Sequence, residues 1–145
     1  MGKRLHSATG DYNSNIVLKS FLEGLNTKDC IKKFNYQTYC DLGYFEKWKL
    51  AETELIERDE NVDIKFAKKF LDIIEEKGCM FSINHPTDYI INEYAIEITK
   101  FLGFSPRQYP SDMFTNSLGA SPWNAIYSEI AEYHHIKWKY INRYR

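Results

Sequence analysis

Apolar residues along most of this chain recur at the spacing of an α-helix. Leu18, Phe21, Leu22 and Leu25 fall at i, i+3, i+4 and i+7, which sets them on one face of a short helix with Ser14 or Asn15 as its cap and Gly24 near its end. Thr27 opens a second turn of helix through Ile31 and Phe34. Asn35 caps a third piece, Tyr36 to Leu42, which Gly43 closes where a left-handed residue is cheapest for glycine. A longer helix follows from Phe45 to Arg58, with Trp48, Ala51 and Leu55 on one face and Glu46, Lys47, Lys49, Glu54 and Glu57 around the rest. Asp63 is placed to cap Ile64 to Lys77, where Ile64, Ala67, Phe70, Leu71 and Ile74 trace another stripe that stops at Gly78. The cleanest stripe is Ile91, Tyr94, Ala95, Ile98 and Leu102, with Glu93, Glu97 and Lys100 opposite and Gly103 and Pro106 beyond its end. From Trp123, the stripe Tyr127, Ile130, Ala131 and His134 signals a last helix.

Two stretches break this period. Cys79, Met80, Phe81 and Ile83 form a short apolar run that reads as a buried strand, and it ends at Asn84-His85-Pro86 where the next helical pattern begins. Pro86 suits a first helical turn, and Thr87 or Asp88 can cap the N–H groups behind it. His85 is therefore expected at a strand end facing a helix N-terminus, whose partial positive charge favours neutral imidazole and attracts anions, as a general base requires. The competing reading makes His85 a turn residue bonded to nearby backbone. The second break, residues 104 to 122, holds Pro106, Pro110, Gly119 and Pro122, and a loop of that length tends to be functional or to wrap a surface.

The pattern predicts a mainly α fold, a compact bundle of about six short to medium helices with one short buried strand before the Asn-His-Pro turn. Residues 1–13 read as a loose lead-in, 14–136 as the helical domain and 137–145 as a basic aromatic tail or edge strand. The chain has 145 residues, one domain's worth, and needs no disulfide or metal staple.

Composition narrows the function classes. A formal net charge of −1 gives no broad attraction to nucleic acid or acidic membrane. Cys30, Cys40 and Cys79 are odd in number and show no C-x-x-C spacing, which points to a reducing, cytoplasmic setting and away from a zinc site. The N-terminal Met-Gly-Lys-Arg-Leu-His-Ser lacks a signal peptide's apolar segment, and His6 stands where a myristoylation motif needs Ser or Thr. No apolar run reaches membrane-spanning length. The unusual quantity is the 16% aromatic share, with eleven tyrosines, a composition suited to pockets and interfaces.

Other chemistry-bearing residues read as structural. The acidic run from Glu57 to Asp63 lacks the spacing and central glycine of a calcium loop, so it is a solvated loop. His134 and His135 are neighbours and point about 100° apart, a poor metal pair; no metal is expected. His134 continues an apolar stripe and is expected to pack near a helix C-terminus, where its charged form is also favoured. Cys79 reads as a small buried hydrophobe, separated from His85 by a strand's length. Lys137, Lys139, Arg143 and Arg145 interleave with Trp138, Tyr140 and Tyr144 as on a single-strand nucleic-acid platform, but the net charge and the lack of a recognition motif favour a solvated surface.

Several ordered fragments resemble one family. They are Asp11-Tyr12-Asn13-Ser14-Asn15-Ile16-Val17, Phe21-Leu22-Glu23-Gly24-Leu25, Leu42-Gly43-Tyr44-Phe45, Phe81-Ser82-Ile83-Asn84-His85-Pro86 and Tyr127-Ser128-Glu129-Ile130-Ala131. Together they resemble the C-terminal half of the polysaccharide-biosynthesis WcbI family, acetyltransferases of bacterial capsule assembly associated with coenzyme A. The resemblance implies an Asn-His-Pro turn at the active cleft, with His85 and Asn84 catalytic and Tyr12, Ser14 and Ser82 in contact with substrate or cofactor. It further implies acetyl-CoA or coenzyme A as cofactor and a sugar or polysaccharide precursor as acceptor. The family's N-terminal α/β half, with its Gly-Asn-Cys-Gln segment, has no counterpart here, and Asn13 and Asn15 stand where histidine and arginine are expected. A partner chain or a missing segment that supplies that half is therefore also expected. The rival reading is a non-enzymatic helical module that uses its tyrosines and tryptophans to bind a protein or glycan.

Overall fold

The computed structural model describes residues 13–110, 113, 117–120 and 123–138. Tyr12, the expected lead-in up to that residue and the tail beyond Trp138 lie outside the described residues. Among those described, the fold is mainly helical, with seven α-helices, one 3-10 turn and a single two-stranded antiparallel sheet. Backbone contacts divide the chain into two units, Met1–Phe45 and Glu46–Arg145.

The first unit carries α1 (Asn15–Leu22), α2 (Thr27–Lys32) and α3 (Tyr36–Asp41). Asparagines start two of them: Asn26 Oδ1 accepts from Asp29 N–H (3.1 Å) and Asn35 Oδ1 from Thr38 N–H (3.0 Å). Each cap satisfies a donor that a helix start leaves unpaired. Gly43 closes α3 at φ 66°, the left-handed conformation its sequence position called for. Tyr39 is almost wholly buried, with the rings of Tyr44 and Phe45 5.7 and 6.4 Å away. On α1 the buried residues are Ile16 and Ser20, while Leu18, Phe21 and Leu22 of the expected core stripe are exposed. A hydrophobic stripe specifies which face seeks cover. The small Ser20 side chain marks the face that packs.

The second unit begins along α4 (Tyr44–Asp59), which leads into α5 (Ala67–Ile74). The corner between them corrects the expected cap. The Asp59 carboxylate accepts from Phe66 N–H (2.9 and 3.0 Å) and Ala67 N–H (3.0 Å), and the Lys65 ammonium donates to the carbonyls of Asp59, Glu60 and Val62. Helix α5 therefore starts at Ala67 instead of Ile64, and its capping carboxylate comes from the end of the preceding helix, not from Asp63. Asp59→Ala should cost about 1–2 kcal/mol in urea unfolding by stranding those donors, whereas Asp63→Ala should stay within about 0.5 kcal/mol. Equal losses would return the cap to Asp63.

At its other end α5 is closed by the segment expected to be a solvated tail. Trp138 Nε1–H donates to the Ile74 carbonyl (2.8 Å), Lys137 N–H to the Glu75 carbonyl (2.9 Å), and the Lys137 ammonium pairs with Glu76. The Trp138 ring lies against Gly78, where an added Cβ would meet it at 3.3 Å. These two residues thus serve the fold, satisfying carbonyls that a helix end leaves open.

Helix α6 (Asp88–Phe101) turns the expected face outward. Ile90 and Ile96 are buried, while Ile91, Tyr94, Ala95 and Leu102 are exposed. Glu93 and Glu97, expected on the solvent side, instead face the Lys69 ammonium at 2.8 and 2.7 Å. That ion pairing fixes the helix's rotation, because two half-buried carboxylates without a cation would be costly.

Helix α7 (Ser128–Tyr133) buries Ala131 and ends at His134. His134 packs beside the rings of Trp48 (5.3 Å) and Tyr133 (4.9 Å), the packed role its stripe implied. Its charged form is not favoured. Burial, and then the charge of His135, pull its pKa below the ordinary imidazole value.

Candidate functional site

The Asn-His-Pro stretch belongs to a tight hairpin. Strand β1 (Met80–Ser82) pairs antiparallel with β2 (His85–Pro86), Ser82 opposite His85 and Met80 opposite Pro86, with an irregularity between the two pairs. Ile83 and Asn84 make the turn and are exposed, whereas the strand residues are half-buried, not fully buried. The single strand read from the apolar run thus gains a partner from residues expected to start a helix. Helix α6 begins only at Asp88, with Thr87 in the N-cap position. The Thr87 hydroxyl is directed elsewhere, donating to the Gly78 carbonyl (3.3 Å), while Thr87 N–H donates to the Cys79 carbonyl (2.8 Å). His85 therefore stands inside β2, three residues ahead of α6, and not at the helix N-terminus.

The hairpin brings together three of the residues singled out from sequence. Ser82 Oγ donates to Asn84 Oδ1 (3.2 Å), and Ser82 faces half-buried His85 across the ladder. With its amide oxygen engaged by Ser82, Asn84 presents its NH2 group for donation. Ser14 is the N-cap residue of α1 in the first unit. Tyr12 lies outside the described residues.

Sequence reasoning did not foresee what flanks the hairpin. Asn124 N–H donates to the Phe81 carbonyl (2.6 Å), and the Trp123 and Phe81 rings lie 4.6 Å apart at 34°. Trp123 Nε1–H donates to the Gly119 carbonyl (2.9 Å), in the 3-10 turn η1 (Ser117–Ala120), and η1 lies beside β2. Part of the aperiodic loop thus wraps the His85 strand. Its proline content announced a loop, but no local signal names the partner of a loop tryptophan.

A second cluster, between α5 and α6, is one the sequence did not disclose. Lys69 bridges Glu93 and Glu97, Lys100 joins Glu97 at 3.0 Å, and the Lys77 ammonium lies 3.7 Å from the centre of the Tyr89 ring. Burial alone would lower the Lys69 pKa, but hydrogen bonds and charge from Glu93 and Glu97 outweigh it and raise it. Burial, then the charge of Glu93, raises that of Tyr89. Both shifts hold the groups in their ordinary protonation states, which suits a tie between α5 and α6. Cys79 is buried, and burial pushes its thiol up to about 11 against a smaller opposing effect of Lys77, so it is an inert hydrophobe, as expected. Folding back of the hairpin cancels the strand-length separation expected between Cys79 and the residues around His85. Among the described residues no group of three or more His, Cys, Asp or Glu could hold a metal ion, and no helix is long and apolar enough to cross a membrane.

The family description "Polysaccharide biosynthesis enzyme WcbI" matches residues 2–107, more than half of the chain and inclusive of the whole hairpin. The chain belongs to the WcbI family. No curated protein and no solved structure matches it. WcbI membership makes polysaccharide biosynthesis the setting of this site, with Ser82, Asn84 and His85 inside the matched residues and η1 and Trp123 outside them.

Proposed function

We propose that the chain is the helical part of an acetyltransferase that moves an acetyl group from acetyl-CoA to a sugar hydroxyl in capsule synthesis. The observation that carries this reading is the hairpin itself, which holds an imidazole and an oriented amide on adjacent residues within the family-matched segment. His85 takes the proton as the sugar oxygen bonds to the thioester carbonyl carbon, and the Asn84 NH2 donates to the oxyanion that develops. The carbon–sulfur bond then breaks, and the imidazolium returns the proton to the departing thiolate. The Ser82 hydroxyl fixes the amide's orientation. Three free cysteines accord with a reducing cytoplasm.

A partner chain bearing an α/β half completes the site in this reading. The exposed apolar residues of α1 (Val17, Leu18, Phe21, Leu22) and of α6 offer such a partner surface to bury. The same exposed stripes favour a second reading, a non-enzymatic module that binds a protein or glycan. Thermal unfolding with acetyl-CoA separates the two. A ligand at a hundred times its Kd adds about 2.7 kcal/mol to a folded state that binds it, so the melting temperature should rise by several degrees. With the partner half present, an unchanged melting curve at millimolar acetyl-CoA favours the module.

A further inference from the structure

We infer that η1, held in place by Trp123, is the acceptor-sugar wall of the His85 site and sets which sugar is acylated; this rests on the acetyltransferase reading above. Three observations converge on it. The turn Ser117–Ala120 lies beside β2, the strand that carries His85. Trp123 ties that turn to the hairpin twice over, by its ring against Phe81 and by its indole N–H on the Gly119 carbonyl, while Asn124 N–H fastens the same segment to the Phe81 carbonyl. Of these residues η1, Trp123 and Asn124 lie beyond residues 2–107, so the segment beside the hairpin lies outside what the family match covers.

The chemistry of the segment separates acceptor from donor. Its described residues, Ser117, Leu118, Gly119, Ala120, Trp123 and Asn124, are uncharged. A surface for coenzyme A needs arginine or lysine against the pyrophosphate. A neutral sugar instead needs apolar surface for its C–H face together with hydroxyl and amide groups for its hydroxyls, and this short segment supplies Leu118 and Ala120 for the first and Ser117 and Asn124 for the second. Trp123 acts here as a positioning residue, because it holds η1 and leaves proton transfer to His85.

The test uses the full chain with its partner half, acetyl-CoA, and a panel of glucose, galactose and mannose methyl glycosides as acceptors. Trp123→Phe keeps an aromatic ring for Phe81 but removes the N–H that holds Gly119. Its KM for the acceptor should rise roughly three- to tenfold, with kcat and the KM for acetyl-CoA unchanged and amide exchange faster in η1. Leu118→Ala should alter the ranking of the three acceptors by kcat/KM. His85→Ala serves as the reference. If the unaltered chain gives no transfer, or His85→Ala transfers as well as it does, the acetyltransferase reading and the wall both fall. If His85→Ala is inactive while Trp123→Phe and Leu118→Ala keep the unaltered acceptor KM and ranking, the wall alone is overturned.

Discussion

Replacing His85 with alanine should lower acetyl transfer to a sugar acceptor by about 10²–10⁴-fold, the usual contribution of a positioned general base. The fall should appear in kcat, because the imidazole acts on the proton that moves only as the new bond forms. Melting temperature should change little, since His85 is half-buried at the edge of a two-stranded hairpin and the backbone ladder that pairs it with Ser82 does not depend on its ring. Asn84→Ala should also reduce kcat, by about 10²–10³-fold if its amide is the oxyanion donor. A His85→Ala protein with undiminished transfer would remove the base from the mechanism.

On stability, the largest effect is expected from Ile96→Ala, which should cost about 2–5 kcal/mol by removing a buried side chain and leaving a cavity. Ile96 and Ile90 are each 7% exposed, whereas Ile91 is 46% and Leu102 61% exposed. Ile91→Ala and Leu102→Ala should therefore remain within about 0.5 kcal/mol. The helical stripe in the sequence demands the opposite order. Urea unfolding with an unchanged slope would decide between them, and a larger loss at Ile91 than at Ile96 would mean that α6 packs through its apolar stripe after all.

Helix α6 shows why a legible element need not reveal its packing. Its extent, its Gly103 stop and its position after the Asn-His-Pro turn follow from local chemistry that each residue carries with it. Its rotation does not, because Lys69 lies on another helix and no residue near Glu93 or Glu97 in sequence announces that cation. The α5 cap repeats the lesson. Asp63 has the right type and the right offset for a cap, but the α4–α5 corner folds so that Asp59 reaches the Phe66 and Ala67 amides first. At the hairpin, Pro86 reads locally as a first helical residue, yet the two-residue turn at Ile83 and Asn84 lets it close a strand pair opposite Met80.

By itself the sequence determined that the chain is mainly helical, where most helices run, that Asn35 caps one of them, and that Ser82, Asn84 and His85 stand close together in one short motif. Capping, period and turn chemistry act within a few residues, so they can be read along the chain. Tertiary structure alone decided that the strand pairs with His85-Pro86, that α6 turns its carboxylates toward Lys69, that Trp123 braces the hairpin and that Trp138 closes the end of α5. Those outcomes depend on groups brought together from distant positions, where desolvation and charge pairing outweigh local preference.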